Sequence, residues 1–419
     1  MVQECAPDPV LAVLRHFGRY PALGLPAPQP RACPVSGHLL FRPHHTNCGT
    51  IENAMKSTMM AVLALAFLAG GCAAERTSSP KTSAAEEQSE ASTVVLASIP
   101  SGVDFSGAIL VARGDDIIVR EAVSSSSGEG ANPIDLDSRF AIASMTKSFT
   151  AALVLELVDQ DLVALDDTLS DLLPTLETDW ADQVTLGQML RNRSGIPHYV
   201  DIPGWFDNEV KRSFSDESFL DAISALELKF EPGSDYLYSN VNYFLLARII
   251  DRYSGMTYED YLRSQILGPL GMQATGQLYE DPGQLAPNSL RLDDGTYETV
   301  PIVNPVLFRG TASMYSTIDD LRRWGQAVMD GQVYSKAGQR NAFDEDLPMA
   351  WALGQLPLGG ERTTDVIYYN GRLIGYLSLI MLLPDEDGLI IVLNNNSAGY
   401  DALLTIAGAL AAQVFGEEH

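Results

Sequence analysis

Short apolar runs lie near both ends of the main body of the chain, and turn residues separate them in pairs. Residues 107–112 and 117–120 flank a Gly-Asp-Asp turn, which predicts a β-hairpin. Residues 376–383 and 389–393 flank a turn rich in Pro, Asp and Gly, and an Ala- and Leu-rich helix follows at 401–415. Between the two pairs the chain is mostly helical. The pattern predicts an α/β chain of the α+β type: strands from both ends form one antiparallel sheet flanked by helices, beside a largely helical region.

The helix predicted after Ser144 has almost no polar face before Asp159. Its apolar residues are Phe149, Ala151, Ala152, Leu153, Val154, Leu155, Leu157 and Val158. A helix that is apolar on all sides is buried, so we expect it to be central to the molecule. Ser144 would stand at its N-terminus, where unpaired N–H groups and the helix dipole favour negative charge. Lys147 would lie one turn further along on the same face.

The chain before position 99 differs from the rest in composition. Residues 1–54 are rich in proline and show neither helical nor strand periodicity. Met55-Lys56, the apolar run 59–68 and the sequence Leu-Ala-Gly-Gly-Cys ending at Cys72 resemble the signal peptide and lipobox of a bacterial lipoprotein. We therefore predict that translation starts at Met55 and that residues 1–54 are an upstream extension or disordered. The apolar run is too short to span a bilayer.

The same pattern divides the chain into functional segments. Residues 55–71 would be the lipoprotein signal peptide, residues 72–98 the lipidated Cys72 with a flexible tether, and residues 99–419 the folded hydrolase domain. A plain secretory signal without a lipid is the alternative. Both alternatives predict export, and the first predicts a periplasmic or extracellular lipoprotein anchored to the membrane through Cys72.

The charge and the scarcity of Cys and His exclude several classes of protein. Lys and Arg total 27 against 54 Asp and Glu, a formal net charge of −27, which argues against a nucleic-acid partner. After Cys72 the chain has no further cysteine, and its histidines are His198 and His419. A cysteine nucleophile and a Cys/His metal cluster are therefore disfavoured, and no metal or other cofactor is implied. A Ser-His-Asp triad would have to use His198, and no Gly-x-Ser-x-Gly elbow accompanies it. A serine activated by lysine or tyrosine is the route left open.

Three short motifs carry the candidate chemistry, and each is weak alone. Ser144-x-x-Lys147 has a twin at 78–81 in the tether. Tyr238-Ser239-Asn240 offers a phenol and an amide, but it is equally typical of a turn with a helix N-cap. Tyr369-x-Gly371 places a glycine where a substrate could approach a strand, although a β-bulge would also explain it.

Together, these motifs resemble those of the β-lactamase-related serine hydrolases, which include class C β-lactamases, D-alanyl-D-alanine carboxypeptidases and family VIII esterases. The resemblance covers residues 99–419 and implies a β-lactamase/transpeptidase-like fold. The connecting phrases that support it are Arg193-Ser194-Gly195-Ile196-Pro197, Phe230-x-Pro232-Gly233, Pro269-Leu270-Gly271-Met272 and Ser316-Thr317-x-x-Asp320-Leu321.

The resemblance implies acyl transfer through an acyl-enzyme. Ser144 would attack a carbonyl, Lys147 and Tyr238 would take and return the proton, and Asn240 would bind the acyl-side amide of the substrate. Backbone N–H groups of Ser144 and Arg372 would hold the oxyanion. Lys147 must either lose its proton or remain charged and make the Tyr238 phenol more acidic, and the sequence leaves both open.

Tyr369 departs from the family pattern, which usually has Lys or His at this position to help bind a substrate carboxylate. A phenol supplies a hydrogen bond but no cation near pH 7. Arg372, or Arg309 if it lies near, is a candidate to restore the positive charge. The departure puts strong β-lactamase or carboxypeptidase activity in doubt and favours an esterase or amidase acting on a less acidic substrate.

The resulting functional prediction is an exported serine hydrolase that acts on a peptide, β-lactam or ester carbonyl. A carboxylesterase of the same fold, or a non-catalytic lipoprotein that binds the cell wall, is the alternative. Tyr369, Gly371, Arg372 and Asn240 are the predicted substrate-binding residues. The predicted partners are a small-molecule or peptide substrate, with the peptidoglycan stem peptide as one candidate, and the membrane through the lipid on Cys72.

Overall fold

The principal sheet is antiparallel and is built from strands near both ends of the folded body. The computed structural model describes residues 97–416, apart from 102, 104, 125–133, 281, 284, 293–295 and 398–399. Six strands in the described region pair in the order β2-β1-β11-β10-β9-β8. The strands are β1 Gly107–Arg113, β2 Asp116–Val123, β3 Phe140–Ala141, β4 Gly276–Gln277, β5 Leu290–Arg291, β6 Tyr297–Glu298, β7 Met314–Ser316, β8 Ala352–Gly359, β9 Arg362–Leu373, β10 Tyr376–Leu383 and β11 Gly388–Asn394.

Helices cover this sheet and fill the region beside it. They are α1 Thr146–Asp159, α2 Leu169–Leu172, α3 Leu186–Leu190, α4 Asn208–Ser213, α5 Asp216–Ser224, α6 Asn240–Ser254, α7 Tyr258–Leu262, α8 Ile318–Met329, α9 Lys336–Ala342 and α10 Tyr400–Phe415. No helix in the described part of the chain is long and apolar enough to cross a membrane.

The central strands are buried on both faces, and for this reason their sequences are continuous runs of mostly apolar residues. Every residue of β10 and β11 is buried. Alternate side chains of a strand point to opposite faces. Leu389 and Ile380 on one face approach Gly325 of α8, whereas α10 packs on β8, β10 and β11 and its Phe415 contacts Gly388. The sheet is therefore an inner layer between α8 and α10.

The predicted fold class is confirmed: the chain has a β-lactamase/transpeptidase-like fold with a mixed α/β layout. Both predicted strand pairs are present, because β1 pairs with β2 and β10 with β11. The strands β8 and β9 add a further antiparallel pair, which the apolar pattern did not predict as such. In β8 most side chains are at least partly exposed, so apolar and polar positions do not form a recognisable run.

The helix predicted after Ser144 is the buried helix α1. Residues 146–155 and Leu157 are all buried, and α1 packs against α6, α7 and α9. Ser144 itself precedes the helix and lies in a 3₁₀ turn over Ala143–Met145 that leads into α1. The segments predicted for residues 1–54, 55–71 and most of the tether fall outside the described residues.

Candidate active site

Three predicted side chains, Ser144, Lys147 and Tyr238, meet at the N-terminal end of α1. The Ser144 hydroxyl lies 2.7 Å from the Tyr238 hydroxyl, and Lys147 Nζ donates a hydrogen bond to Ser144 Oγ at 3.2 Å. Tyr238 comes from a loop 94 residues further along the chain. The serine oxygen is thus flanked by two groups that can accept or return its proton.

A strained turn presents Ser144 to the cleft. Ala143 has a φ of 50°, in the left-handed region that alanine rarely adopts. A non-glycine residue in this conformation costs roughly 1–3 kcal/mol and persists only where the surrounding structure enforces it. Met145 N–H donates to Ile142 O across the turn. Ser144 is the partly exposed residue of this otherwise buried turn.

Lys147 is completely buried beneath Ser144. Burial lowers the pKa of Lys147 well below its usual value, because a buried ammonium ion loses its hydration. Its Nζ donates to the backbone oxygen of Thr311 at 2.8 Å and lies 5.0 Å from the centre of the Tyr238 ring. Of the two alternatives left open by the sequence, this environment favours the neutral amine, which can accept a proton.

Arg309, two residues before Thr311, does not supply the positive charge that the sequence suggested it might. Its guanidinium forms hydrogen bonds of 2.6 and 2.7 Å to Asp251 and of 2.7 and 2.9 Å to Glu259. These two carboxylates neutralise it within the protein interior. Arg309 therefore anchors the segment that carries the Thr311 carbonyl.

The Tyr238 loop is held by a second loop, the one that carries the Ser-Gly-Ile-Pro phrase. Asn192 Oδ1 accepts hydrogen bonds from the Ser239 backbone N–H and from the Asn242 amide, both at 3.1 Å. Ser239 Oγ donates to Pro197 O and accepts from Val241 N–H, which makes Ser239 the N-cap of α6. The N-cap interpretation of this motif was thus right for Ser239, and it places Tyr238 immediately before the helix.

Gly371 packs directly against the Ser144 turn. A Cβ on Gly371 would lie 2.3 Å from Ile142 O and 2.9 Å from Ser144 N, so only glycine fits here. Among the described residues, β8 pairs with β9 as far as Tyr368, and no other strand pairs with the following part of β9 on that side.

Arg372 follows Gly371 in this part of β9 and lies opposite Leu377 of β10. Its side chain is exposed and alternates to the face of β9 opposite Gly371. The contact of Gly371 with the Ser144 turn brings this part of β9 close to the backbone N–H of Ser144.

Asn240 is the first residue of α6 and is buried beside the cleft. Its Nδ2 donates to the Tyr199 hydroxyl at 2.5 Å, while its Oδ1 is buried without a hydrogen-bond partner. A buried acceptor left unpaired is costly, so this oxygen is suited to receive a donor from a ligand. Tyr199 was not predicted, although it lies two residues after the Ser-Gly-Ile-Pro phrase.

Tyr369 lies on β9 beyond its pairing with β8. Burial, together with the nearby Tyr238, Tyr243 and Tyr236, raises the pKa of Tyr369 well above its usual value. The Tyr369 ring packs edge-on against Trp351, with centroids 6.3 Å apart. Cys72, the predicted lipidation site, lies outside the described residues.

His198 is part of the wall of the site, but its contacts are not those of a triad base. Its ring stacks at 6.3 Å on that of Tyr238, and its Nδ1 accepts the backbone N–H of Val200 at 3.2 Å. Burial and the nearby Lys147 lower the pKa of His198 to about 3. The groups hydrogen-bonded to Ser144 Oγ are Tyr238 and Lys147, not His198, and in the described residues no cluster of His, Cys, Asp or Glu is arranged to hold a metal.

Most of the folded part of the chain matches a known protein family. The family model described as beta-lactamase matches residues 99–413. The chain belongs to the beta-lactamase family. It is therefore a member of a family of serine hydrolases that share this fold.

The relatives carry names that refer to several substrates. The chain is 26% identical to Penicillin-binding protein 4* of Bacillus subtilis over 344 residues, covering 75% of this chain and 73% of the relative. It is 29% identical to the D-alanyl-D-alanine-carboxypeptidase/endopeptidase AmpH of Escherichia coli, covering 55% of this chain and 59% of the relative. The D-amino acid amidase of Ochrobactrum anthropi superposes with a TM-score of 0.68 at 20% identity, covering 78% of this chain and all of that one, and shows the shared fold.

Proposed function

We propose that the protein is a serine hydrolase that forms an acyl-enzyme on Ser144 and transfers the acyl group to water. The observation that carries this proposal is the position of Ser144 Oγ, 2.7 Å from the Tyr238 hydroxyl and 3.2 Å from Lys147 Nζ. A serine hydroxyl is a weak nucleophile unless an adjacent group accepts its proton.

The proton path follows from these contacts. As Ser144 Oγ bonds to the substrate carbonyl carbon, its proton passes to the Tyr238–Lys147 pair, and the burial of Lys147 keeps an acceptor available. The pair then returns the proton to the leaving group as its bond to the carbonyl carbon breaks. In the second half, water gives a proton to the same pair as its oxygen bonds to the acyl carbon. The pair then returns this proton to Ser144 Oγ as the bond between Oγ and the acyl carbon breaks, which releases the acid.

Backbone N–H groups of Ser144 and Arg372 would stabilise the oxyanion in both halves of the reaction. Preorganised donors of this kind act where charge develops in the transition state, and removing one typically costs about 10²–10³ in kcat. The contact between Gly371 and Ser144 N keeps the two donors on the same side of the serine.

The substrate is proposed to be a peptide, β-lactam or ester with a polar group on its acyl side. The unpaired Oδ1 of Asn240 and the Tyr199 hydroxyl bonded to its amide would bind that group. Relatives named penicillin-binding protein and D-alanyl-D-alanine-carboxypeptidase support a peptide of the cell wall as one candidate.

Hydrolysis of p-nitrophenyl acetate and butyrate by the purified protein tests this function. Ser144→Ala should abolish turnover. Ser148→Ala should retain it, because the hydroxyl of Ser148, in α1, donates a hydrogen bond to Met145 O and not to Ser144. Equal rates for wild type and Ser144→Ala would overturn the proposal, and rates at the uncatalysed background for both would favour the non-catalytic binding protein.

We further propose that the protein is exported and anchored by a lipid on Cys72. The support is the pattern of a basic start, an apolar run and small residues before the cysteine. Cell fractionation and intact mass of the mature protein test it. A mature chain that begins at Cys72 with a lipid mass is expected, with loss of the membrane fraction in Cys72→Ser; a mature chain that retains residues 1–54 would contradict it.

A further inference from the structure

The backbone carbonyl of Thr311 orients the amine on which the proposed proton path depends. Lys147 Nζ donates to Thr311 O at 2.8 Å, and both residues are fully buried. A neutral amine has two N–H bonds and one lone pair. Because Thr311 O holds one N–H, the other N–H and the lone pair remain available to Ser144 Oγ, 3.2 Å away. The place of this carbonyl therefore decides how well Lys147 can accept the serine proton.

Arg309 fixes one end of residues 309–311, the buttress segment, against two helices. Its guanidinium is hydrogen-bonded twice to Asp251 in α6 and twice to Glu259 in α7. Paired bonds of this kind hold a planar guanidinium in one orientation. Asp251 also accepts the backbone N–H of Tyr258 at 2.7 Å, so the same carboxylate joins α6 to α7. The two helices thus hold the backbone two residues before the Thr311 carbonyl.

Thr150 holds the middle of the buttress segment from α1. Its hydroxyl lies 2.8 Å from Gly310 O and 2.9 Å from the Tyr258 hydroxyl, with a weaker contact of 3.3 Å to Thr146 O. A threonine hydroxyl has one proton, and a carbonyl oxygen can only accept. Thr150 therefore donates to Gly310 O, and Tyr258 donates to Thr150. This fully buried chain of hydrogen bonds ties the segment to the helix that carries Lys147.

The backbone of the buttress segment packs directly on α6. Gly310 has a φ of 71°, and a Cβ there would lie 2.7 Å from Tyr243 O and 2.8 Å from Ala247 Cβ, so only glycine fits. The N–H and the hydroxyl of Thr311 both donate to Phe308 O, at 2.8 and 2.9 Å. The Thr311 carbonyl is therefore fixed from three helices and by its own loop.

We propose that Arg309 and Thr150 are positioning residues, which hold the buttress segment so that its last carbonyl orients the amine of Lys147. This inference rests on the proposed acyl-enzyme function. The carboxylates that neutralise Arg309 and the phenol that supports Thr150 belong to one contact region between α1, α6 and α7. A displacement of about 1 Å at a catalytic group can cost about 10² in rate, so loss of either anchor should lower kcat.

Two substitutions of Thr150 separate positioning from packing. Thr150→Val keeps the shape of the side chain but removes the donor to Gly310 O, whereas Thr150→Ser keeps the donor and removes a methyl group. In hydrolysis of p-nitrophenyl butyrate, we expect Thr150→Val to lower kcat by about tenfold or more with little change in KM, and Thr150→Ser to stay near wild type. Urea unfolding identifies the conditions in which both variants are folded. A role in stability alone predicts equal kcat values for the two folded variants.

A variant without charges tests the Arg309 anchor. Arg309→Met combined with Asp251→Asn and Glu259→Gln removes the cation and both carboxylates, so no buried charge is left unpaired. Its kcat should fall by about tenfold or more, again with little change in KM. Arg120→Met is the matched control, because Arg120 donates two hydrogen bonds to Asp319, at 2.9 and 2.5 Å, but joins β2 to α8. The control should keep the wild-type kcat.

The inference would be overturned by a wild-type kcat in folded Thr150→Val, by equal losses in Thr150→Val and Thr150→Ser, or by a wild-type kcat in the folded charge-free variant. If the charge-free variant does not fold, the Thr150 pair decides. Labelling by a fluorophosphonate distinguishes failure of the inference from failure of the proposed function. Active wild type that labels at Ser144, with unchanged kcat in the variants, contradicts the positioning role alone. Wild type that neither labels at Ser144 nor hydrolyses the ester contradicts the proposed function.

Discussion

Replacing Gly371 by alanine should disable the oxyanion site while leaving the proton path in place. The added Cβ would lie 2.3 Å from Ile142 O, 2.6 Å from Ser378 Oγ and 2.9 Å from Ser144 N. Ordinary contacts begin at 3.4 Å, so β9 and the Ser144 turn would have to separate by about 1 Å, a displacement that can cost about 10² in rate. Two of the three contacts are backbone atoms, which have little freedom to yield.

The expected result is a fall in kcat of about 100-fold, because both oxyanion donors belong to the elements that separate. KM should change much less, since Asn240 and Tyr199 are not displaced. Overpacking of this kind also destabilises a fold, by about 1–3 kcal/mol. Steady-state hydrolysis of p-nitrophenyl butyrate and urea unfolding measure the two effects.

Gly408→Ala is the matched control. A Cβ there would have as its nearest neighbour Leu356 Cδ1 at 3.8 Å, and Gly408 lies within α10. The control should keep full activity and become more stable by about 0.5–1 kcal/mol, because alanine favours the helix. A Gly371→Ala variant with wild-type kcat would refute the assignment of β9 as one wall of the oxyanion site.

Three further predictions follow from the geometry. Tyr238→Phe should lower kcat by about 10²–10⁴ without unfolding the protein, as removal of a general base does; near-normal turnover would remove Tyr238 from the proton path. Arg309→Met should reduce the free energy of unfolding in urea by about 1–3 kcal/mol, because it leaves the half-buried carboxylates of Asp251 and Glu259 without the cation that pairs with them. Burial opposes the ionisation of Glu259, but hydrogen bonds from Arg309 and from a tyrosine outweigh it and lower its pKa to about 2. Because the pKa of Glu259 is lower in the folded protein than its ordinary value of 4.5, its ionised carboxylate stabilises the fold above about pH 4.5. Wild type should lose this stabilisation as the pH falls from about 4.5 to about 2. A free energy of unfolding that does not change with pH over that range would contradict the prediction. His198→Gln should leave the acid limb of the pH–rate profile in place, because the pKa of His198 is about 3 and this imidazole is already neutral at the pH of assay; a limb near pH 6.5 that disappears in the variant would be inconsistent with this.

The apolar pattern predicted some strands of the sheet and missed others. Apolar runs identified β10 and β11 because both faces of those strands are buried. The same reasoning did not find β8, an edge strand that is largely solvent-exposed, as edge strands often are. Ser144 and Lys147 were predictable from the helix behind them, since an entirely apolar helix can hold a lysine only at a special site.

Contacts made across long sequence separations were out of reach of pattern reasoning. The pairing of Asn192 with Ser239 and Asn242, and of Lys147 with the Thr311 carbonyl, joins residues from helices and loops that are far apart in the sequence. Tyr199 gave no signal beyond its proximity to the Ser-Gly-Ile-Pro phrase. The suggested role of Arg309 was wrong because Asp251 and Glu259, its partners, lie 58 and 50 residues earlier in the chain.

The central claim is that Ser144 is the nucleophile, and peptide mapping by mass spectrometry after reaction with a fluorophosphonate tests it most directly. The claim predicts one adduct, on the peptide that contains Ser144, with loss of hydrolysis in proportion to labelling. It also predicts no adduct in Ser144→Ala and slow labelling in Tyr238→Phe. An adduct on another residue, or undiminished hydrolysis by fully labelled protein, would contradict the account.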